Sequence, residues 1–120
     1  MGTPTPTEAR SVNTPLRVSV IVRTLDCEAD LRAQVVALRR QSVPVELVVV
    51  DSGSSDGTVE VAREQADVVV ELEPGTYRPG LALNRGAAVA GGELHVALSS
   101  HCRLPDDAWI ARAEAHFADP

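Results

Sequence analysis

The sequence contains no lysine, since all eleven of its basic residues are arginines. This excludes chemistry that depends on a lysine, such as a P-loop or a Schiff base, and together with abundant Ala and Val it indicates a GC-rich, bacterial genome. Aromatic residues are also scarce, with one each of Phe, Trp and Tyr, which argues against recognition of nucleic acid by base stacking. The net charge of −6 disfavours a phosphate backbone as well, so we expect no nucleic-acid partner.

Long apolar runs and paired cysteines are missing too. No stretch approaches the ~18 apolar residues that a membrane-spanning helix needs, and residues 1–15 lack the apolar segment of a secretory signal. Cys27 and Cys102 are too few for a disulfide framework. We expect them to be free thiols, with an approach to one another near the site as the alternative. These features predict a cytoplasmic protein with no transmembrane segment.

The length of 120 residues suits a single domain, and 44% apolar with 23% charged residues is typical of a globular protein. Residues 1–15 are rich in Pro and Thr and show no periodicity, so they predict a flexible leader. The folded domain is therefore expected at residues 16–120.

Short β-branched runs alternate with amphipathic segments along that domain. Strands are predicted at Val18–Val22, Glu46–Val50, Asp67–Leu72 and Leu94–Leu98. Helices are predicted at Cys27–Gln41, from Ser55 or Asp56 onward, at Gly80–Ala90, and from Pro105–Asp107 onward with Trp109, Ala113 and Phe117 as a buried stripe. This alternation predicts an α/β fold, with a mostly parallel, Rossmann-like sheet of about four strands and flanking helices.

Ligands of parallel sheets bind beyond the carboxyl ends of the strands, which here precede Arg23–Asp26, Asp51–Asp56 and Ser99–Arg103. The strongest local pattern is VVVDSGSSDGT, residues 48–58, in which an apolar strand runs into an acid, a Gly/Ser turn and a helix start. We expect the Asp51 carboxylate to accept a hydrogen bond from a ribose hydroxyl or a base N–H. The turn residues after it are explained by turn formation and helix capping.

Four segments in register resemble the nucleotide-binding half of family 2 glycosyltransferases. They are VSVIVRT (18–24), VVVDSGSSDGT (48–58), YRPGLALNRGAAVAGGE (77–93) and LHVALSSHCRLPDDAW (94–109). The resemblance covers residues 16–120 and implies the GT-A fold. It also implies a nucleotide-diphosphate sugar as donor, a sugar or glycan as acceptor, and transfer to an acceptor hydroxyl with inversion.

The resemblance also implies a set of nucleotide-binding residues, position by position. These are Arg23, Thr24, Asp51, Ser52, Arg78, Asn84, Ser99 and His101. Arg78 and Asn84 match residues near the nucleotide and its phosphates, where a cation neutralises diphosphate. The alternative for these two is a solvated surface charge and a residue that shapes a helix.

The end of the fourth strand departs from the family's pattern. Family members place Asp-x-Asp there, whose carboxylates hold Mg²⁺ or Mn²⁺ against the diphosphate, whereas this chain has Ser99–Ser100–His101. His101 is the candidate metal ligand, and a hydrogen bond from its ring to phosphate is the alternative. A cofactor role for Mn or Mg therefore stays open. His95 and His116 are expected to be structural.

The family's acceptor half and the carboxylate base that it supplies have no counterpart in residues 16–120, so we assign no catalytic residue. Besides a glycosyltransferase, the sequence allows a non-catalytic nucleotide-binding module, or a truncated remnant, that acts with a partner chain. An unrelated dinucleotide- or flavin-binding domain would need G-x-G-x-x-G after the first strand, where Arg23–Asp26 contains no glycine. A homodimer is a further hypothesis, because the missing half would leave one sheet face uncovered.

Overall fold

The computed structural model describes residues 17–75 and 78–118, so the predicted leader at 1–15, Leu16 and Tyr77 lie outside the described residues. The elements in chain order are β1 (Val18–Thr24), α1 (Glu28–Arg39), β2 (Val45–Asp51), α2 (Thr58–Gln65), β3 (Val68–Glu71), α3 (Pro79–Val89), β4 (Leu94–Ser99) and α4 (Trp109–Ala118). The strands form one sheet in the order β3-β2-β1-β4, and all neighbouring strands are parallel. The predicted α/β fold is confirmed.

Apolar side chains of the sheet pack into two cores, one on each face. The larger core lies against α1, α2 and α4 and includes Val20, Val22, Leu31, Leu38, Leu47, Val49, Val61 and Ile110. The smaller core lies against α3 and contains Ile21, Val48, Val50, Leu72 and Ala82. Burial on both faces explains the continuous apolar runs at Val20–Val22 in β1 and Leu47–Val50 in β2.

The start of α2 differs from the prediction by a few residues. The helix begins at Thr58, with Gly57 in the N-cap position, whereas Ser55 or Asp56 was expected to be the cap. Asp56 still satisfies the first turn, because its Oδ1 accepts a hydrogen bond from the Thr58 backbone N at 2.9 Å. Hydrogen bonds that Asp56 accepts from the Thr58 side chain and from the Thr58 backbone lower the pKa of Asp56. Its carboxylate therefore stays ionised at the positive end of the helix.

The buried stripe predicted for α4 is wrong at Phe117, which is 64% exposed. The helix begins at Trp109, later than the Pro105–Asp107 start that the sequence suggests. Its orientation is set by Ile110, whose backbone N donates to Gln41 Oε1 at 3.0 Å and whose side chain enters the larger core. Glu114, one turn further on, is therefore buried, while Trp109 is only half-buried.

Burial raises the pKa of Glu114. The folded chain then holds the proton more tightly than the unfolded chain, so stability is lost as pH rises from the ordinary value toward the raised one. Glu114→Gln should remove this loss, and the variant should gain stability relative to the unmodified chain between about pH 4 and pH 7. Thermal unfolding of the variant and of the unmodified chain at about pH 4 and at about pH 7 measures this gain in stability. Glu64→Gln is the control, because Glu64 is exposed. An equal response of both variants to pH would contradict the prediction.

The structure bears on two further predictions, which concern membrane-spanning helices and the state of the two cysteines. Within the described ranges, no helix is both long and apolar enough to cross a membrane. Cys27 and Cys102 are both free thiols, with Cys27 buried in the larger core and Cys102 exposed. The expectation of free thiols is thus confirmed, and an approach of the two near the site stays a prediction.

Candidate functional site

Asp51 joins the carboxyl ends of β1 and β2. Thr24 and Asp51 are register partners, and the Thr24 hydroxyl donates to Asp51 Oδ1 at 2.7 Å. The Ser54 hydroxyl donates to the same oxygen at 2.6 Å, while the backbone N atoms of Gly53 and Ser54 donate to Oδ2 at 3.0 and 2.8 Å. Only 1% of Asp51 is exposed. Its carboxylate therefore organises the loop that follows β2.

The loops after β1 and β2 form one unit. The Asp26 backbone N donates to the Ser54 hydroxyl at 2.8 Å, and the Ser55 backbone N donates to Asp26 Oδ1 at 2.7 Å. Asp26 has a φ of 46°, in the left-handed region that Asp tolerates better than most residues. A direct contact between Asp51 and a ribose or base stays a prediction. What the structure shows is Asp51 and Asp26 holding this two-loop edge in place.

A cavity of about 270 Å³ lies between the carboxyl ends of β1 and β4. It is lined by Arg23, Thr24, Leu25, Ser99, Ser100 and His101. Arg23 and Ser99 are register partners on adjacent strands, which is why they meet at the same edge. Four of the residues assigned to nucleotide binding thus share one cavity that contains no acidic side chain.

A larger cavity of about 410 Å³ lies at the opposite, amino-terminal edge of the sheet. Polar groups beside it satisfy one another: the Ser19 hydroxyl donates to Glu46 Oε1 at 2.7 Å and accepts from the Gly92 backbone N at 2.8 Å. Parallel sheets bind ligands at the carboxyl ends of their strands. The smaller cavity is therefore the candidate functional site, on position and chemistry and not on size.

The His101 side chain is held by α1. Its Nδ1 lies 2.6 Å from Asp30 Oδ2, and Arg103 Nη2 donates to Asp30 Oδ1 at 2.7 Å. The hydrogen bond from Arg103, followed by that from His101, keeps the pKa of Asp30 below its ordinary value. Asp30 is thus a carboxylate at neutral pH and accepts a hydrogen bond from Nδ1–H. This assignment of the proton leaves Nε2 of His101 to meet a ligand.

A second side chain of α1 fixes the backbone of the same loop. Gln34 is buried, and its Nε2 donates to the Ser99 carbonyl at 2.9 Å and to the Cys102 carbonyl at 3.4 Å. Gln34 lies one helical turn after Asp30, so both side chains point to the same face of α1. Neither residue could be predicted from the sequence, because each is more than 60 positions from its partners and only the folded sheet brings them together.

Two predicted site residues lie apart from the cavity. Arg78 is exposed and occupies the N-cap position of α3, and Asn84 is exposed further along that helix. Neither residue lines the cavity, so their contact with phosphates stays a prediction. Ser52 lies next to Asp51 with its hydroxyl buried, and that hydroxyl has no hydrogen-bond partner among the described residues.

The donor set does not fit the divalent metal that the resemblance implies. The cavity offers one imidazole and no carboxylate, whereas Mg²⁺ and Mn²⁺ prefer oxygen ligands, mainly carboxylates. Residues 17–75 and 78–118 contain no group of three or more His, Cys, Asp or Glu side chains placed to hold a metal ion. The Asp30 carboxylate beside His101 is already bonded to His101 and Arg103.

The fold and the position of the site together define a class of protein. A four-stranded parallel sheet with flanking helices and polar loops at its carboxyl edge is similar to the N-terminal domains of GT-A glycosyltransferases. The model of the family described as "Glycosyl transferase family 2" matches residues 19–120. The chain belongs to this family, so the resemblance seen in the sequence is confirmed. No curated protein sequence matches it.

Solved structures of glycosyltransferases are similar over most of the chain. Staphylococcus aureus TarS is 31% identical, with a TM-score of 0.73, over 86% of this chain and 19% of TarS. The mannosyltransferase PcManGT from Pyrobaculum calidifontis, solved with GDP-Man and Mn²⁺, is 31% identical, with a TM-score of 0.76, over 91% of this chain and 34% of PcManGT. Glucosyl-3-phosphoglycerate synthase from Mycobacterium tuberculosis, at 22% identity and a TM-score of 0.73, supports the fold alone; the match spans 100% of this chain and 46% of the synthase. The chain therefore spans less than half the length of each of these proteins.

Proposed function

We propose that the chain is the donor-binding part of a glycosyltransferase and binds a nucleotide-diphosphate sugar at the carboxyl edge of β1, β2 and β4. The observation that carries this proposal is the cavity in which Arg23, Thr24, Ser99 and His101 converge beside the loop held by Asp51. PcManGT was solved with GDP-Man and TarS with UDP. Both ligands contain a nucleoside diphosphate, which is the chemistry that an arginine-containing cavity suits.

In the proposed reaction an acceptor hydroxyl attacks the anomeric carbon from the face opposite the diphosphate. The bond from that carbon to the diphosphate oxygen breaks, and the nucleoside diphosphate leaves with the electron pair. Arg23 and the hydroxyl group of Ser99 stabilise the charge that develops on the leaving group. The acceptor proton goes to a base outside this cavity, because no carboxylate lines it. Inversion follows from attack on the opposite face.

Calorimetric titration with UDP and GDP, in the presence and absence of Mn²⁺, tests donor binding. Leu25 lines the cavity and is 51% exposed, so Leu25→Asp places a negative charge there without emptying the core. We expect one nucleotide to bind and Leu25→Asp to weaken it about tenfold by repulsion of the diphosphate.

Val36→Asp is the matched control for this charge. Val36 is 50% exposed on α1 and does not line the cavity, so the same change there should leave affinity unaltered. Binding of neither nucleotide, with or without Mn²⁺, would contradict the proposed function. Equal weakening by both aspartates would contradict the assignment of the site.

The absence of an acid from the cavity lining favours one second candidate, a nucleotide-binding module that acts with a partner chain and has no transferase activity of its own. The two functions differ in what happens to a bound donor. Release of UDP from UDP-glucose, or of GDP from GDP-mannose, favours the transferase. Binding of UDP or GDP without any such release favours the module.

A further inference from the structure

Arg23 brings an unneutralised positive charge to the cavity. Its Nε atom is buried without a hydrogen-bond partner, and within the described part of the chain no acid forms an ion pair with it. Ion pairs do form at Arg17, Arg32, Arg39, Arg63, Arg103 and Arg112. A buried donor that lacks an acceptor is destabilising, and its presence in a folded protein calls for an explanation such as a ligand. Arg23 lines the cavity, so an anion bound there would meet the charge of its guanidinium group.

The charge and size of the cavity agree with a phosphate ligand. The whole chain carries a net charge of −6, yet the cavity lining contains Arg23, His101 and hydroxyl groups and no acid. Its volume of about 270 Å³ is below the ~300–1,000 Å³ of sites that enclose a complete small ligand. The cavity therefore suits one part of a nucleotide sugar, and its chemistry selects the diphosphate.

Acidic residues do lie nearby, but each already has a partner. A neighbouring hollow is lined in part by Asp26, Glu28, Asp30 and Asp56. Three of them accept hydrogen bonds from backbone N atoms: Asp26 from Ser55, Glu28 from Gly57, and Asp56 from Thr58. Asp30 is bonded to His101 and Arg103. These carboxylates support loops and helix starts and do not form a metal site.

We propose, within the function proposed above, that the cavity binds the donor's diphosphate without a divalent metal. Arg23 offsets part of the phosphate charge, and His101, with a proton on both ring nitrogens, donates from Nε2–H to a phosphate oxygen while Nδ1–H stays on Asp30. Asp30 is a positioning residue, since its contact with Nδ1 fixes the ring of His101 from the side away from the ligand. This assignment replaces the Asp-x-Asp and metal of the family's pattern with the chain's own cation.

Titration of the full chain with pyrophosphate, UDP and GDP, in EDTA and then in Mn²⁺, tests metal independence. We expect pyrophosphate and one nucleotide to bind in EDTA, with affinities within about threefold of those in Mn²⁺ (less than 1 kcal/mol). Nucleotide binding that needs Mn²⁺, with a gain of about tenfold or more, overturns this inference and leaves the proposed function standing. Binding in neither buffer overturns both.

Substitutions at Arg23 test the source of the charge. Arg23→Gln should weaken pyrophosphate about tenfold or more in EDTA, while Arg23→Lys should retain most of the affinity because it keeps the charge. Arg112→Gln is the matched control, since Arg112 pairs with Asp106 on the exposed side of α4. Equal affinities for the Gln and Lys variants at position 23, both folded by circular dichroism, would overturn the role of Arg23.

The positioning role of Asp30 is tested through His101. His101 is exposed, so His101→Gln leaves the core intact and should weaken pyrophosphate about fivefold. Asp30→Asn should weaken it to a similar extent in the unmodified chain and have no further effect in the His101→Gln variant. Additive losses in the double variant would overturn the positioning role, because Asp30 would then act without His101.

Discussion

Asp51→Asn should lower the free energy of unfolding by roughly 3 kcal/mol, which is a large loss for the change of a single functional group. The carboxylate accepts two hydrogen bonds on each oxygen, and every partner is a donor: two hydroxyls at Oδ1 and two backbone N–H groups at Oδ2. An asparagine has one oxygen, so its amide group would face two of these donors at a position that is 1% exposed. Urea-induced unfolding measures the loss.

Asp107→Asn provides the control, because Asp107 is exposed and a change there should stay within about 0.5 kcal/mol. Thr24→Val removes only one of the four bonds to Asp51 and should cost about 1 kcal/mol. The same series separates two roles for Asp51. If UDP or GDP affinity falls about tenfold in Asp51→Asn while stability matches the control, then Asp51 contacts the nucleotide and does not organise the loop.

The strands and their parallel direction were predictable from the sequence, because burial on both faces favours the apolar runs at the centres of β1 and β2. The packing of α4 was not predictable. Ile110 and Phe117 are seven positions apart and lie on nearly the same face of the helix, yet Ile110 enters the larger core while Phe117 is 64% exposed. The start of the helix is fixed by the hydrogen bond from the Ile110 backbone to Gln41, a residue 69 positions away. The sequence of α4 alone does not reveal that contact.

The candidate site was likewise predictable from the sequence only in part. Arg23, Thr24, Ser99 and His101 follow strands whose carboxyl ends share an edge, so their convergence could be predicted from topology. The two residues of α1 that hold His101 and the backbone beside it lie on a helix with no motif to mark them. Asp51 illustrates a different gap: the sequence locates the acid correctly at the edge, but only the register with Thr24 shows that the carboxylate turns inward.

Gly86 predicts the second large effect on stability. It lies on the face of α3 that packs against the sheet, and an added Cβ would be 2.5 Å from Ile21 Cγ2 and 3.1 Å from Val50 Cγ2. Ile21 and Val50 are fully packed members of the smaller core, so neither has room to withdraw. Gly86→Ala should therefore cost about 2 kcal/mol, as overpacking typically does, although alanine is the better helix former. Urea-induced unfolding measures the loss.

Gly80→Ala on the same helix isolates the packing effect. An added Cβ at Gly80 meets nothing within 4 Å, and its φ is not in the left-handed region, so the higher helix propensity of alanine should stabilise the fold by up to about 1 kcal/mol. The two substitutions are chemically identical and should change the unfolding free energy in opposite directions. A gain at both positions would mean that α3 can move away from β1 and β2 at little cost. In that case the close contact at Gly86 does not fix the position of α3 against the sheet. It would then not fix the positions of Arg78 and Asn84 either, the exposed residues at the start of this helix and along it.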